Sequence, residues 1–341
     1  MAYRYDVSGV GNAIVDTEVQ VNDGLLRSNE LAKGIMTLVS GEQQAALLGG
    51  LAGYDQHGAA GGSAANTMVG VAQFGGTAYY TGKVGNDMAG ALYRESMAEA
   101  GVGFDVAGSD GLPTGTCLIL VTPDGERTMQ TSLGASVELT PGDIDEGRVR
   151  ESQIVYVEGY LFGSPLASRA AIRAMELAQN AEVRVALSLS DPAMAKHFRE
   201  PFKKATKSFV DVLFCNEHEA RFYVGSEAGS REQTIRAIGA DCGMVFMTCG
   251  ADGSLVYDHG AIVEVRGHRV PVVDTTGAGD VYASGVLYGL TNGMSVHEAG
   301  RLGSFASAKI VSQLGPRLDV RLGEHIATIM DGADPAKELL E

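Results

Sequence analysis

Strands that alternate with helices along most of the chain predict an α/β protein, with a mostly parallel central sheet carrying helices on both faces in a three-layer α/β/α arrangement. Two exceptions refine the prediction. Residues 14–21 alternate apolar and polar side chains with no helix to follow at once. Residues 117–121 and 126–131 flank a Thr122-Pro123-Asp124-Gly125 turn and read as a β-hairpin. Alternation marks half-exposed strands rather than core strands, so these segments predict a small β-rich lid formed by about residues 12–40 and 112–135. No repeat, low-complexity tract or linker divides the chain, which is read as one domain over residues 1–341.

The elements follow in order. Residues 5–10 form a short buried strand, and residues 63–74 a helix closed by Gly75 and Gly76. Residues 77–81 are strand-like; residues 87–100 are helical, with Gly101 as the stop. A strand at 154–157 leads to Ser164-Pro165, a cap followed by proline at the first helical position. Strands are expected at 183–189, 212–215 and 244–248, with helices starting near Glu217 and after Ser230. Residues 254–265 form a second hairpin around Asp258-His259-Gly260. Ser295 and Glu298 make a capping box for a late helix reaching about Leu314.

Composition narrows the function classes. The net charge is −16, which disfavours nucleic-acid binding because phosphate backbones require clustered Lys and Arg. The N-terminus shows no basic region followed by a long apolar core, and no apolar stretch is long enough to span a membrane. Cys117, Cys215, Cys242 and Cys249 include no CxxC pair and read as reduced thiols of a cytoplasmic protein.

The most informative stretch is Asp274-Thr275-Thr276-Gly277-Ala278-Gly279-Asp280, after a Val-rich strand and opening the helix 281–290. Small residues at a strand-to-helix turn leave backbone N–H groups open at a helix N-terminus, where anions bind. Asp280 stands at that site. On physical grounds alone it serves equally well as a helix cap. A carboxylate that accepts a hydroxyl proton while neighbouring N–H groups hold a transferring phosphate meets both demands.

This stretch resembles the C-terminal signature of the ribokinase-like (PfkB) carbohydrate kinases. Gly61-Gly62-Ser63-Ala64-Ala65-Asn66, with Gly75-Gly76 and Gly82-Lys83-Val84-Gly85-Asn86-Asp87, resembles the family's N-terminal signature. The resemblance covers about residues 5–330 and implies the ribokinase-like fold, ATP as phosphate donor and Mg²⁺ as cofactor. It implies Asp280 as catalytic base, beside an anion hole of Gly277, Ala278 and Gly279. Asn216 and Glu219 resemble the family's NxxE motif, which organises Mg²⁺ largely through water; without the resemblance they read as a capped helix start. Thr248, Gly250 and Gly253 resemble its ATP-phosphate loop, and Ser304 and Ser307 fall where relatives wall the adenine pocket. Asp274 and Thr276 sit where relatives bind a monovalent cation such as K⁺. Asp16 matches the substrate aspartate, joined by Asn12, Gly62, Ser63 and Asn66, and Arg127 lies where relatives place an arginine over phosphates or substrate.

Several stretches are closer to the adenosine-kinase branch, among them Val157-Glu158-Gly159-Tyr160-Leu161-Phe162. A nucleoside base needs apolar walls, for which Met36, Tyr160 and Phe162 are candidates; ordinary core packing is the competing explanation. The expected reaction is phosphorylation of adenosine by ATP. Ribokinase, fructokinase, 2-keto-3-deoxygluconate kinase and inosine or guanosine kinase specificities remain open, as does a non-catalytic nucleoside- or sugar-binding protein, and the expected assembly is a monomer or homodimer. A dinucleotide-binding dehydrogenase fits poorly, since Gly9-Val10-Gly11 is followed by Ile14 where the third glycine belongs.

Overall fold

The computed structural model describes residues 3–225, 229–333 and 335. Its strands, in chain order, are β1 Tyr5–Val10, β2 Ile14–Gln20, β3 Met36–Leu38, β4 Gln56–Gly61, β5 Ala78–Thr81, β6 Val102–Gly103, β7 Gly115–Val121 and β8 Arg127–Ser132. They continue with β9 Ser152–Glu158, β10 Arg184–Ser188, β11 Val212–Asn216, β12 Met244–Thr248, β13 Gly253–Asp258 and β14 Ala261–Arg266. Nine of these form one sheet in the order β14-β13-β12-β11-β10-β9-β1-β5-β6. Pairing is parallel from β12 to β6 and antiparallel only where the β13–β14 hairpin adds to β12.

The central strands are apolar on both sides because both faces are covered. Val155, Val157, Val185, Leu187, Leu213 and Val245 point into one core, with the Pro165–Asn180 helix and Phe202. Their neighbours Ile154, Tyr156, Ala186, Val212, Phe214 and Phe246 point into the other, with the Ser63–Gln73 and Ala278–Thr291 helices. The two-residue period of a strand thus builds the expected three layers.

The remaining strands form a smaller sheet in the order β3-β8-β7-β2-β4. Its outer face packs Val19, Leu118 and Leu120 against Leu26, Leu47 and Leu51, from the short helices Asp23–Ser28 and Gly41–Gly49 and the turn after them. The 14–21 and 117–131 segments lie here, but β7 is buried almost throughout rather than half-exposed, since the short helices cover its outer face. Strand β4 extends this sheet beyond the two segments read from sequence. Its residues, Gln-His-Gly-Ala-Ala-Gly, include no β-branched residue and no Phe, Tyr or Trp, so no strand signal exists in them. The late helix ends at Val311 instead of about Leu314, with Ser312 as its C-cap.

The chain passes between sheets at Gly11–Ala13, between β1 and β2, and at Gly62, between β4 and the Ser63–Gln73 helix. Gly62 has φ 93°, and a Cβ there would lie 2.3 Å from the Asn12 carbonyl oxygen. Only glycine allows these two crossings to run so close together.

Candidate active site

The C-terminal ends of the parallel strands and the inner face of the small sheet enclose a cavity of about 770 Å³. In open parallel α/β sheets ligands bind at this edge. Glu158, Ser188, Asn216 and Thr248, the last residues of β9, β10, β11 and β12, all reach the cavity.

The Ala278–Thr291 helix starts at the cavity wall. Gly277 is its N-cap at φ 72° with no side-chain cap bond, and a Cβ there would lie 2.5 Å from the Pro316 carbonyl oxygen. Position 277 therefore requires glycine on both conformation and space. The N–H groups of Gly279 and Asp280 belong to the first turn, which offers them no acceptor within the helix. A Cβ on Gly279 would meet nothing within 4 Å, so a ligand has room against this turn.

Asp280 is in the first turn, yet it does not cap the helix. Its Oδ1 accepts from Ser63 Oγ at 2.6 Å and its Oδ2 from Asn66 Nδ2 at 3.4 Å, so two residues of the Ser63–Gln73 helix hold it. The side chain is half-buried at the cavity wall. Desolvation raises its pKa to about 6, against the lowering effect of the Ser63 and Asn66 bonds and of Arg127. That value suits a proton acceptor working near neutrality.

Asp16 on β2 stands across the cavity. Desolvation raises its pKa to about 7, moderated mainly by the positive charge of Arg317. Register explains its surroundings. Asp16 pairs with Cys117, Cys117 with Thr131, and Thr131 with Leu38; the next row pairs Ile119 with Met129 and Met129 with Met36. All of these line the cavity, together with Ile14 and Leu133. The part of this face that lines the cavity is therefore largely apolar around Asp16, with Glu18 two residues further along β2 on the same face, outside the cavity lining.

Asn12, Gly62, Ser63, Asn66 and Tyr160 also line the cavity. Phe162 does not: it is 6% exposed and its ring packs on Phe202 at 4.7 Å. The short 3-10 helix Gly159–Gly163 turns Tyr160 toward the cavity and Phe162 into the core, which corrects the expectation that both rings face substrate.

Glu158 escapes a motif search but is central here. Its Oε1 accepts the Asn12 N–H and side-chain amide at 2.7 and 2.8 Å, and its Oε2 accepts the Ala64 N–H at 2.8 Å. Burial raises its pKa to about 7. A charged residue ending an otherwise apolar strand was the available signal.

Asn216 and Glu219 form a reciprocal capping box: Asn216 donates its N–H and Nδ2 to the Glu219 carboxylate at 2.9 and 2.6 Å, and the Glu219 N–H returns to Asn216 Oδ1 at 2.9 Å. The capped-start reading is thus correct as structure, and both side chains still border the cavity. Glu219 is 5% exposed, and desolvation raises its pKa to about 7. One buried carboxylate lacking a cationic partner, facing a cavity, fits Mg²⁺ held mainly by water and phosphate oxygens. No cluster of three metal-ligating side chains occurs among the described residues.

Asp274 and Thr276 fit a side-chain cation site poorly. The Asp274 carboxylate accepts Thr276 N–H and Oγ1 at 2.8 and 2.5 Å and Gly315 N–H at 3.0 Å, and pairs with Arg127 Nε at 3.3 Å. Its oxygens are engaged, and Arg127 already supplies the positive charge. Arg127 thereby ties the small sheet to the loop before Gly277.

A second cavity, of about 410 Å³, lies between that loop, the β12–β13 connection and the Val296–Val311 helix. Gly250, Gly253, Ser304 and Ser307 line it, along with His268. Ser304 Oγ is buried without a hydrogen-bond partner there, as a wall awaiting a polar ligand would be. Thr248, Gly250, Thr275, Ala278, Gly279 and Tyr282 border both cavities. The two cavities meet at the turn that presents Asp280.

Two cavities joined at a helix-terminus anion site, beside a carboxylate of raised pKa, define a phosphotransferase site on a ribokinase-like fold. The chain belongs to the pfkB family of carbohydrate kinases, whose pattern matches residues 52–321, and is a kinase with an alcohol group as acceptor. Its structure is similar to that of a probable sugar kinase from Rhizobium etli CFN 42, with TM-score 0.91 and 36% identity, covering 96% of this chain and 98% of that one. It is equally similar to an adenosine kinase from Sinorhizobium meliloti, with TM-score 0.90 and 37% identity, covering 95% and 99%. A 5-dehydro-2-deoxygluconokinase from Shouchella clausii strain KSM-K16 is 29% identical over 262 residues, 74% of this chain and 80% of the relative.

Proposed function

We propose that this kinase transfers the γ-phosphoryl group of ATP to a ribose hydroxyl of a nucleoside, with adenosine as preferred acceptor. The observation that carries the reading is the inner face of the small sheet, where Asp16 stands among Ile14, Cys117, Ile119, Met129 and Met36. A carboxylate grips paired sugar hydroxyls, and the apolar remainder suits a purine face. The likeness to the Sinorhizobium enzyme supports this reading; the name of the Shouchella relative favours a sugar acid instead.

In the proposed mechanism ATP occupies the second cavity and the acceptor the first, with Asp16 and Asn12 holding the sugar. The Asp280 carboxylate takes the proton of the acceptor hydroxyl. That oxygen bonds to the γ-phosphorus as the bond from phosphorus to the β,γ-bridging oxygen breaks, giving ADP and the phosphorylated acceptor. The N–H groups of Gly279 and Asp280 stabilise charge on the transferring phosphoryl oxygens. Asn216 and Glu219 would hold Mg²⁺, whose charge neutralises phosphate. The small sheet closes over the acceptor and excludes water, which suppresses ATP hydrolysis. The four free cysteines agree with a cytoplasmic setting.

Asp16→Ala tests the acceptor half. Leaving two hydroxyls unpaired costs about 1–3 kcal/mol or more, so the acceptor KM should rise about tenfold or more while the ATP KM stays unchanged. 2′-Deoxyadenosine should lose affinity on the wild type and little further on the mutant, since both changes remove the same contacts. Additive losses would show that Asp16 does not hold the ribose.

A further inference from the structure

Three consecutive residues beyond the Val296–Val311 helix touch the reaction centre from behind. The Gly315 N–H donates to Asp274 Oδ2 at 3.0 Å. The Pro316 carbonyl backs Gly277 closely enough to exclude any side chain there. Arg317 Nε donates to Asn66 Oδ1 at 3.0 Å, and its Nη1 to Ser96 Oγ at 2.9 Å. Arg317 borders neither cavity and carries no motif, so the mechanism has not used it.

The Arg317–Asn66 contact decides an ambiguity. An amide offers an oxygen on one side and an NH₂ group on the other, and either can turn toward a neighbour. A guanidinium Nε–H only donates, so the Asn66 atom facing it must be the oxygen. The NH₂ group is thereby left facing Asp280, where it donates to Oδ2 at 3.4 Å. Without Arg317 the amide can rotate and present its oxygen to the carboxylate, which is repulsive.

We propose that Arg317 is a positioning residue for phosphoryl transfer: with Gly315 and Pro316 it braces the anion-site loop, and by fixing the Asn66 amide it holds Asp280 in place as an ionised base. This rests on Asp280 being the base. Arg317 acts through Asn66 and also through its charge, which favours ionised Asp16. The other ionisable groups that act on this centre include Arg127 on β8, Glu18 on β2, Cys117 on β7, Tyr156 and Glu158 on β9, Tyr160 in the turn after β9, Tyr80 on β5, Tyr93 on the Met88–Glu99 helix and, beyond Asp280, Glu219. Arg127 and Arg317 are the cations that act on this group of acids.

The test measures kcat against pH for R317M, R317K and R317Q. The acceptor is whichever of adenosine, guanosine, ribose, fructose and 5-dehydro-2-deoxygluconate the wild type uses fastest. R317M should lose about tenfold or more in kcat with the ATP KM within twofold. Its acid limb should move to higher pH, because a carboxylate facing the amide oxygen holds its proton more tightly. R317K, which keeps donor and charge, should recover part of both. An R317M enzyme with kcat within threefold of wild type and an unmoved acid limb overturns the proposal. Should R317M not stay folded, the order wild type, R317K, R317Q in kcat supports it and any other order overturns it. D280N, run alongside, separates the two claims: a near-normal D280N removes the base assignment itself, whereas an inactive D280N beside a normal R317M removes only the brace.

Discussion

The rim of the large sheet and the inner face of the small sheet border one cavity but are built on opposite terms. The rim is polar and fixed: Asp280, Ser63, Asn66, Glu158, Asn12, Asn216 and Glu219 sit at strand ends and helix starts, joined by short hydrogen bonds. The small sheet offers the cavity a mostly apolar surface around Asp16, and the Arg127–Asp274 ion pair ties it to the rim. The difference assigns the work. A network that fixes charges suits a step common to every acceptor, and an apolar wall suits the choice of acceptor.

The largest effect should come from the rim. Asp280→Asn keeps shape and removes the proposed base, and loss of a general base costs about 10² to 10⁴ in rate. That loss should appear in kcat for every acceptor the enzyme accepts, with nucleotide binding retained when followed by fluorescence or calorimetry. A mutant within about threefold of wild type would break the division of labour at its strongest point.

A second effect reports on the acids of both regions without catalysis. Asp16, Glu158, Glu219 and Asp280 all have pKa values raised to between about 6 and about 7 by burial. Between the unfolded carboxyl pKa values and these, the folded chain binds more protons than the unfolded one. Their contribution to stability is therefore complete below about pH 4 and lost as pH rises through 6 to 7. The ligand-free midpoint of thermal unfolding should fall from pH 5 to pH 8, and saturating ATP, Mg²⁺ and acceptor should flatten that fall. A midpoint rising over this range would show that these acids are not desolvated together.

Much of this was legible in sequence, for reasons particular elements make plain. The Gly277–Asp280 turn needs small residues for backbone and space, so its chemistry and its composition coincide. The alternation in 14–21 and the Thr122–Gly125 turn point to the small sheet, but Cys117–Val121 is apolar throughout and β7 is buried on both faces, because helices cover one side and the cavity-lining cluster the other. What stayed hidden depends on three-dimensional proximity. Strand β4 is too rich in glycine and alanine to look like a strand. Tyr160 and Phe162, two residues apart, look alike in sequence, yet a 3-10 turn sends one to the cavity and the other to Phe202. Arg317 meets Asn66 across 251 positions of chain, a pairing no local pattern reveals.

The nucleoside assignment is tested most directly by kcat/KM for adenosine measured beside ribose, fructose and 5-dehydro-2-deoxygluconate, with ATP and Mg²⁺ saturating. The apolar inner face of the small sheet predicts that adenosine exceeds each free sugar by tenfold or more, because a bare sugar leaves Met36, Ile119 and Met129 against water. A free sugar that matches or beats adenosine would contradict the nucleoside assignment and leave a sugar kinase working through the same rim.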